Sequence, residues 1–392
     1  MDNFVISDAP LTSGLEFPLE EYKMRLRRAQ EEMKKHGLPL LLLHQPENIL
    51  YLSGFYTSTG FFSYHALAVP SEGDPVLIVR DMEVPAAEAL SWVRTFTVYS
   101  DAADPVPVWL DAARRAVEGM GLENGKIGVD EHSWFLTVER WKKMQELLPN
   151  ATLVAEPRIV DHLRIIKSPR EIEYMRMACR QVEAGMRAGL NAVKEGAVEK
   201  ELAAAVFNAE VHAGAGIPLI GIITSGSRTN QLHGAYGDRV LERGDIAYFE
   251  LVASCHKYDA KMMRSAIVGP ASDEQKRVAE IILRTQDKAI SLMLPGTPSS
   301  VIDSACREPI LKAGLRETYT NRVGYSIGLN YRPSAGEFIR EFVPGKDWKL
   351  ESGMIFHMLM MAGGMGFSES VLVTDNGPER LTTLERVLFE NM

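Results

Sequence analysis

Cysteine is scarce in this chain, and so are the other marks of secreted, membrane-spanning or nucleic-acid-binding proteins. Among 392 residues there are three cysteines, Cys179, Cys255 and Cys306. An odd set without metal-binding spacing excludes a disulfide framework and suits reduced thiols in a cytoplasm, packed as small hydrophobes. No apolar run approaches the ~20 residues of a membrane span, so no membrane partner is expected. The stretch MDNFVISDAP at the start has neither the basic nor the apolar region of a signal peptide. An excess of positive charge is also missing, since the net charge is −9. That balance argues against tracking a phosphate backbone and hence against nucleic acid as a partner. It leaves small substrates open, because a local pocket can oppose the global sign. Low-complexity tracts and heptad runs are absent as well.

What is present is an alternation of strand and helix signals. Tyr22, Leu26, Ala29 and Met33 share one face of an amphipathic helix over 20–36. Strand patterns follow at 40–44, 66–69, 76–80, 95–99, 126–130 and 151–155, with helices at 106–120 and 138–147. This pattern predicts a sheet covered by helices, an α/β domain over 1–160. The break lies near 161–169. In Ser168-Pro169-Arg170-Glu171 a capping serine, a proline at the first helical position and a glutamate three residues on start a helix. Ile172, Met175, Cys179, Val182 and Met186 continue it at helical spacing. A second helix is expected over 198–213, extended segments over 245–255 and 258–268, and a capped helix from Ser272. A further helix starts at Ser299 or Ser300, and extended segments at 355–361 and 368–374 close the chain. Residues 161–392 thus read as two similar α/β halves facing each other.

Several blocks carry chemistry. They are Lys167-Ser168-Pro169-Arg170-Glu171-Ile172, Gly244 to Glu250 with Tyr258, Arg264 and Gly269, Gly324-Tyr325-Ser326-Ile327-Gly328-Leu329, and Glu369 to Thr374. In this order they resemble the pita-bread family of creatinase, prolidase, aminopeptidase P and methionine aminopeptidase. The resemblance is strong over 160–392. The first part looks, less specifically, like the creatinase/prolidase N-terminal domain. The implied fold is α/β (α+β): an N-terminal creatinase/prolidase-type domain over 1–160, then a catalytic pita-bread domain over 161–392. Metal-dependent members hold two ions on Asp, Asp, His, Glu and Glu, and the matching positions here are Glu250, Lys261, Tyr325, Leu359 and Glu369. A lysine ammonium repels a dication, a protonated tyrosine is a poor ligand and a leucine has no donor atom. A two-ion site needs bridging carboxylates, so neither a metal nor any other cofactor is expected.

The resemblance is nearer to the metal-free branch of creatinase and ectoine hydrolase. It implies His233 as proton donor and acceptor and Glu250 as nucleophile or general base. Lys261 and Tyr325 are expected to steady developing charge or orient Glu250, and Glu369 to hold a substrate cation. Tyr258, Glu337 and His357 join the substrate-binding set, with Phe62 from the aromatic stretch 54–64 and Arg332 as a clamp for a carboxylate. Arg264 reads as structural, and Met358, Met360, Met361 and Met365 as core. The loop Tyr331-Arg332-Pro333-Ser334-Ala335-Gly336-Glu337 departs from the ectoine hydrolase pattern, with Ala335 in place of tryptophan. The expected activity is metal-independent hydrolysis of a C–N bond in a small zwitterion, ectoine or an analogue, by a homodimer whose N-terminal domains close the partner's site. The alternatives are a metal-dependent Xaa-Pro peptidase with an atypical site and a non-catalytic binding module.

Overall fold

The structure is a computed structural model and describes residues 4–11, 14–57, 63–216, 221–231, 233–331 and 336–391. Contacts divide the chain into two units, 1–164 and 165–392, with the break after Arg164 rather than after 160.

The first unit holds a seven-stranded mixed sheet in the order β1-β5-β4-β3-β2-β6-β7. Its strands are β1 (Val5–Ile6), β2 (Leu40–Leu43), β3 (Ala66–Pro70), β4 (Val76–Arg80), β5 (Thr95–Tyr99), β6 (Lys126–Val129) and β7 (Thr152–Ala155). All four leucines of β2 are buried, as expected of a central strand covered on both faces. The helices are α1 (Leu19–Lys35), α2 (Pro46–Ser53), α3 (Val84–Leu90), α4 (Pro105–Gly119), α5 (Val138–Leu147) and α6 (Ile159–Ile165). Tyr22, Leu26, Ala29 and Met33 of α1 are buried, as their spacing predicts. α2, α3 and α6 are absent from the sequence reading, because helices this short complete too few turns to show a period.

The second unit is built on a nine-stranded sheet with a seven-strand path, β12-β11-β13-β14-β10-β9-β8, to which β15 and β16 attach. The strands are β8 (Ile222–Ser225), β9 (Ile246–Cys255), β10 (Tyr258–Val268), β11 (Gly324–Ser326), β12 (Glu341–Phe342), β13 (Ile355–Ala362), β14 (Met365–Thr374), β15 (Gly377–Arg380) and β16 (Phe389–Asn391). α7 (Pro169–Ala192) opens with the capping box read from the sequence. Ser168 Oγ accepts from the Glu171 amide at 3.2 Å, and Glu171 Oε2 accepts from the Ser168 amide at 2.8 Å. α8 (Glu199–His212), α9 (Asp273–Ser291) and α10 (Ser299–Lys312) complete the set. α7 lies on β9 and β10 and α9 on β13 and β14, so the two halves repeat one arrangement. Each half has a hairpin with a two-residue turn at positive φ: His256 and Lys257 in one, Gly363 and Gly364 in the other. Such turns match the twist of the strands they join. On the α9 side of the sheet, Met358, Met360, Phe367 and Val371 pack with Ile282, Ile302 and Cys306. All three cysteines are buried, and burial pushes the Cys179 and Cys306 thiols up. No helix among the described residues is long and apolar enough to cross a membrane.

Candidate functional site

Strand register decides which side chains meet. Side chains alternate across a strand, and directly opposed residues share a face. Glu250 on β9 opposes Met263 on β10, Met263 opposes Ser368 on β14, and Ser368 opposes Leu359 on β13. Tyr325 on β11 opposes His357 on β13, two residues from Leu359. All of these, with Tyr248 and Lys261, therefore look to one side of the sheet. Arg264, Met358 and Glu369 look to the other.

A cavity of about 530 Å³ lies on the first side, lined by His233, Glu250, Lys261, Tyr325, Arg322 and Leu359 among others. That volume suits a small molecule. Its polar groups form one connected series. Tyr248 donates its hydroxyl to Glu250 Oε2 at 3.1 Å, and Lys261 Nζ donates to Glu250 Oε1 at 3.3 Å. Lys261 Nζ also donates to the Tyr325 oxygen at 2.7 Å. The Tyr325 hydroxyl meets His357 Nδ1 at 3.0 Å, and His357 Nε2 meets Ser368 Oγ at 2.6 Å.

Protonation follows from burial and neighbours. Burial pushes Tyr325 up, against the pull of Lys261. Burial and the Glu250 charge push Tyr248 well above its usual range, so both are phenols. Burial, aided by the Lys261 charge, holds His357 well below the usual imidazole range, so it is neutral. Burial works against the ammonium of Lys261, but Tyr325 and Glu250 beside it outweigh burial and raise its pKa. A charged Lys261 then donates to the Tyr325 oxygen. The Tyr325 proton goes to His357 Nδ1, and the proton on His357 Nε2 goes to Ser368 Oγ. This tautomer satisfies every contact in the series. Gly336 belongs to the same design, because a Cβ there would meet the Tyr325 ring at 2.6 Å.

The structure separates the residues singled out in the sequence. Glu250, Lys261 and Tyr325 stand together in the cavity, and His233 lines it from a loop with φ of 78°. That backbone value is uncommon outside glycine and recurs at functional sites. Glu369 does not join them. It lies on the opposite face of β14, fully buried, 2.9 Å from Arg264 Nη2 and 3.1 Å from Arg386 Nε. Its neighbour on β14, Ser368, faces the cavity side instead. Arg264 is structural as expected, binding Glu369 and the carbonyls of Ser368, Leu384 and Glu385. Tyr258 is buried away from the cavity lining and donates to Glu171 Oε1 at 2.8 Å, tying β10 to the cap of α7. Glu337 forms a wholly buried ion pair with Lys167 at 2.6 Å. His357 faces the cavity side but sits behind Tyr325, fully buried. Phe62 and Arg332 lie outside the described residues. Met358, Met360 and Met365 are core, whereas Met361 lines the cavity. Sequence reasoning missed Tyr248, Ser368, Phe338 and Arg322. Arg322 stands at the cavity with its guanidinium 4.7 Å from the Phe338 ring and 3.0 Å from Glu341 Oε1. Only the spacing of Arg322 from Tyr325, three residues, pointed to it.

The sequence matches Metallopeptidase family M24 over residues 173–375 and the Creatinase/Prolidase N-terminal domain over 25–166. The chain belongs to family M24. It is 27% identical over 396 residues to the ectoine hydrolase of Halomonas elongata, with 96% of this chain and 98% of that protein covered. It is also 27% identical to a Xaa-Pro dipeptidase of Pyrococcus horikoshii, covering 93% of this chain and 98% of that protein. Among solved structures, the prolidase of Thermococcus sibiricus superimposes with a TM-score of 0.82 at 25% identity, over 94% of this chain and 99% of that one. The Pyrococcus horikoshii prolidase gives 0.80 at 24%, over 93% and 100%. The fold is thus the prolidase one, and hydrolase is the activity class that these named relatives share.

The family's name implies metal ions, and the residues in the cavity do not fit a pair of them. Glu250 is the one carboxylate among its described lining residues, and both of its oxygens already accept hydrogen bonds. The Lys261 ammonium occupies the neighbouring position, Leu359 offers no donor, and both nitrogens of His357 are engaged. Two cations held ~3.5–4 Å apart need bridging carboxylates that this set does not supply.

Proposed function

We propose that the chain is a hydrolase that cleaves a C–N bond in a small zwitterionic molecule without a metal in its cavity, with ectoine or a near analogue as the first substrate to try. One observation carries the reading: the Lys261 ammonium lies 3.3 Å from Glu250, where a metal-dependent member would place a second carboxylate. A lysine there removes the ion and leaves a cation of its own. In the reaction, Glu250 attacks the carbon or deprotonates the water that does. The C–N bond breaks, and His233 delivers the proton that the departing nitrogen needs. Overall, water gives OH to the carbon and H to the nitrogen. Lys261, braced by Tyr325 and behind it by His357, faces the negative charge that develops in between. Arg322 at the cavity takes the substrate's carboxylate, and the Glu250 side of the cavity takes its cationic end. The reading includes a homodimer in which each N-terminal unit closes the other copy's cavity, as the family resemblance implies; sedimentation analysis tests it.

The experiment is a substrate panel of ectoine, creatine and Xaa-Pro dipeptides, run on protein dialysed against chelator. Turnover of a cyclic amidine or guanidine that survives chelation and disappears in Glu250→Gln is expected. Dipeptide cleavage that depends on added metal would overturn the reading. Single turnover in ¹⁸O-labelled water separates the two roles of Glu250, since direct attack leaves label in the carboxylate.

A further inference from the structure

We propose that His132, Glu156 and Asp161 in the N-terminal unit bind a divalent first-row metal cation such as Zn²⁺ or Mn²⁺. The three come from separate segments. His132 follows β6, Glu156 follows β7 and Asp161 lies in the first turn of α6. β6 and β7 are parallel neighbours, with Val129 opposite Ala155, so their C-terminal ends open on one edge of the sheet. Such edges are where α/β sheets bind ligands. Each residue offers one ligand atom, and the three atoms lie within 4.8 Å of one another.

Their hydrogen bonding sets them apart. Glu156 Oε1, His132 Nε2 and Asp161 Oδ2 are all buried, and Glu156 Oε1 makes no hydrogen bond. His132 Nε2 and Asp161 Oδ2 stand 2.9 Å apart as an ion pair, so Glu156 Oε1 is the atom of the three that has no partner. The remaining oxygens, by contrast, are anchored. Glu156 Oε2 accepts from the Ile159 amide at 2.7 Å, and Asp161 Oδ1 faces Arg164 Nη1 at 3.4 Å. Arg164 is fixed in turn by Asn48 Oδ1 at 2.9 Å. Each carboxylate is thus held by one oxygen and presents the other, which is how outer partners orient metal ligands. Glu156 is 5% exposed, and a buried polar atom left unpaired costs free energy. A cation among the three atoms would supply Glu156 Oε1 with a partner and take the place of the His132–Asp161 contact.

The donor set selects the ion. One imidazole nitrogen with two carboxylate oxygens suits Zn²⁺, Mn²⁺ or Fe²⁺ better than Mg²⁺, which prefers oxygen and water. The His132 side chain is 22% exposed, which leaves a route for the ion and a position for water. Bound there, the cation fastens α6 to the ends of two strands. This site is independent of the chemistry proposed for the cavity of the second unit.

The test is calorimetric titration of the full-length, chelator-treated protein with ZnCl₂ and with MnCl₂, alongside the variants His132→Ala, Glu156→Gln and Glu250→Gln. One equivalent is expected in the unaltered chain and in Glu250→Gln. Affinity should drop at least tenfold in His132→Ala and in Glu156→Gln. Glu156→Gln preserves shape, so it reports on the site even where His132→Ala fails to fold. Absorption by bound Co²⁺ gives a second readout, and its ligand-field bands should vanish in the same two variants. Absence of binding below 1 mM metal, or binding unchanged in both variants, overturns the proposal. A protonated Glu156 beside a His132–Asp161 ion pair would then account for the cluster.

Discussion

Two buried polar clusters in this molecule handle their donors in opposite ways. In the cavity of the second unit, Glu250, Lys261, Tyr325, His357 and Ser368 satisfy one another along an unbroken series of contacts. In the first unit, His132 and Asp161 form an ion pair, and Glu156 beside them keeps a buried oxygen without a hydrogen bond. The first arrangement already holds a cation of its own, the Lys261 ammonium 3.3 Å from Glu250, and does not supply the bridging carboxylates of a metal pair. The second leaves Glu156 Oε1 without a partner, which the proposed cation would supply. The comparison teaches that family membership does not locate a metal. Donor chemistry and unmet hydrogen bonds are the local guides, and on them rests the proposal of a cation in the first unit and none beside Glu250.

The comparison breaks most visibly at Glu250. Changing it to Gln keeps the shape and removes the charge, and should lower turnover of the cleaved substrate by about 10²–10⁴-fold with the circular dichroism spectrum unchanged. Turnover near that of the parent would remove the carboxylate from the mechanism. Glu369, one face away, should behave in the reverse manner. Its pair with Arg264 is wholly buried, so Glu369→Ala should cost about 3–5 kcal/mol in urea unfolding. A raised KM with unaltered stability would instead restore Glu369 to the substrate site.

Glu210 on α8 sharpens the contrast, since both of its oxygens are buried without a hydrogen bond but it belongs to no ligand cluster. Burial pushes its carboxyl up to about 8, from 4.5. The folded state therefore keeps a proton that the unfolded chain releases. The stability tied to that proton is full below pH 4.5 and is lost as pH rises through 8, by an amount on the order of 5 kcal/mol. Glu210→Gln should flatten this part of the pH–stability curve without changing metal stoichiometry. An unchanged curve would show that Glu210 ionises freely in the fold. Ser368→Ala should have the smallest effect. It leaves His357 Nε2–H without its acceptor, a loss of about 1–3 kcal/mol, and should lower turnover only through the positioning of Tyr325.

Much of this was legible in the sequence, and the part that was not has a definite physical origin. The capping boxes at Ser168 and Ser272 are local, and both stand in the structure as read. The hairpins over 246–268 and 355–374 announce themselves by β-rich runs around short turns. Glu250 and Lys261, eleven residues apart, meet because the turn between them fixes the pairing of β9 with β10. Glu369 went wrong by one residue. On a strand, adjacent side chains point to opposite faces, and which of Ser368 and Glu369 looks into the cavity depends on pairing with β10 and β13, which sequence spacing does not reveal. Tyr258 and Glu337 misled for a related reason: their partners, Glu171 and Lys167, lie 87 and 170 residues away. The N-terminal triad was invisible in the sequence because residues 132, 156 and 161 follow no ligand spacing and converge only through the parallel pairing of β6 and β7.

The claim on which the rest depends is that an ammonium has taken the place of a metal beside Glu250. Anomalous diffraction from crystals soaked in MnCl₂ tests it most directly. The account predicts no manganese peak within coordination distance of Glu250 and a Lys261–Glu250 contact that persists. A pair of peaks bridged by Glu250, with Lys261 swung aside, would contradict it.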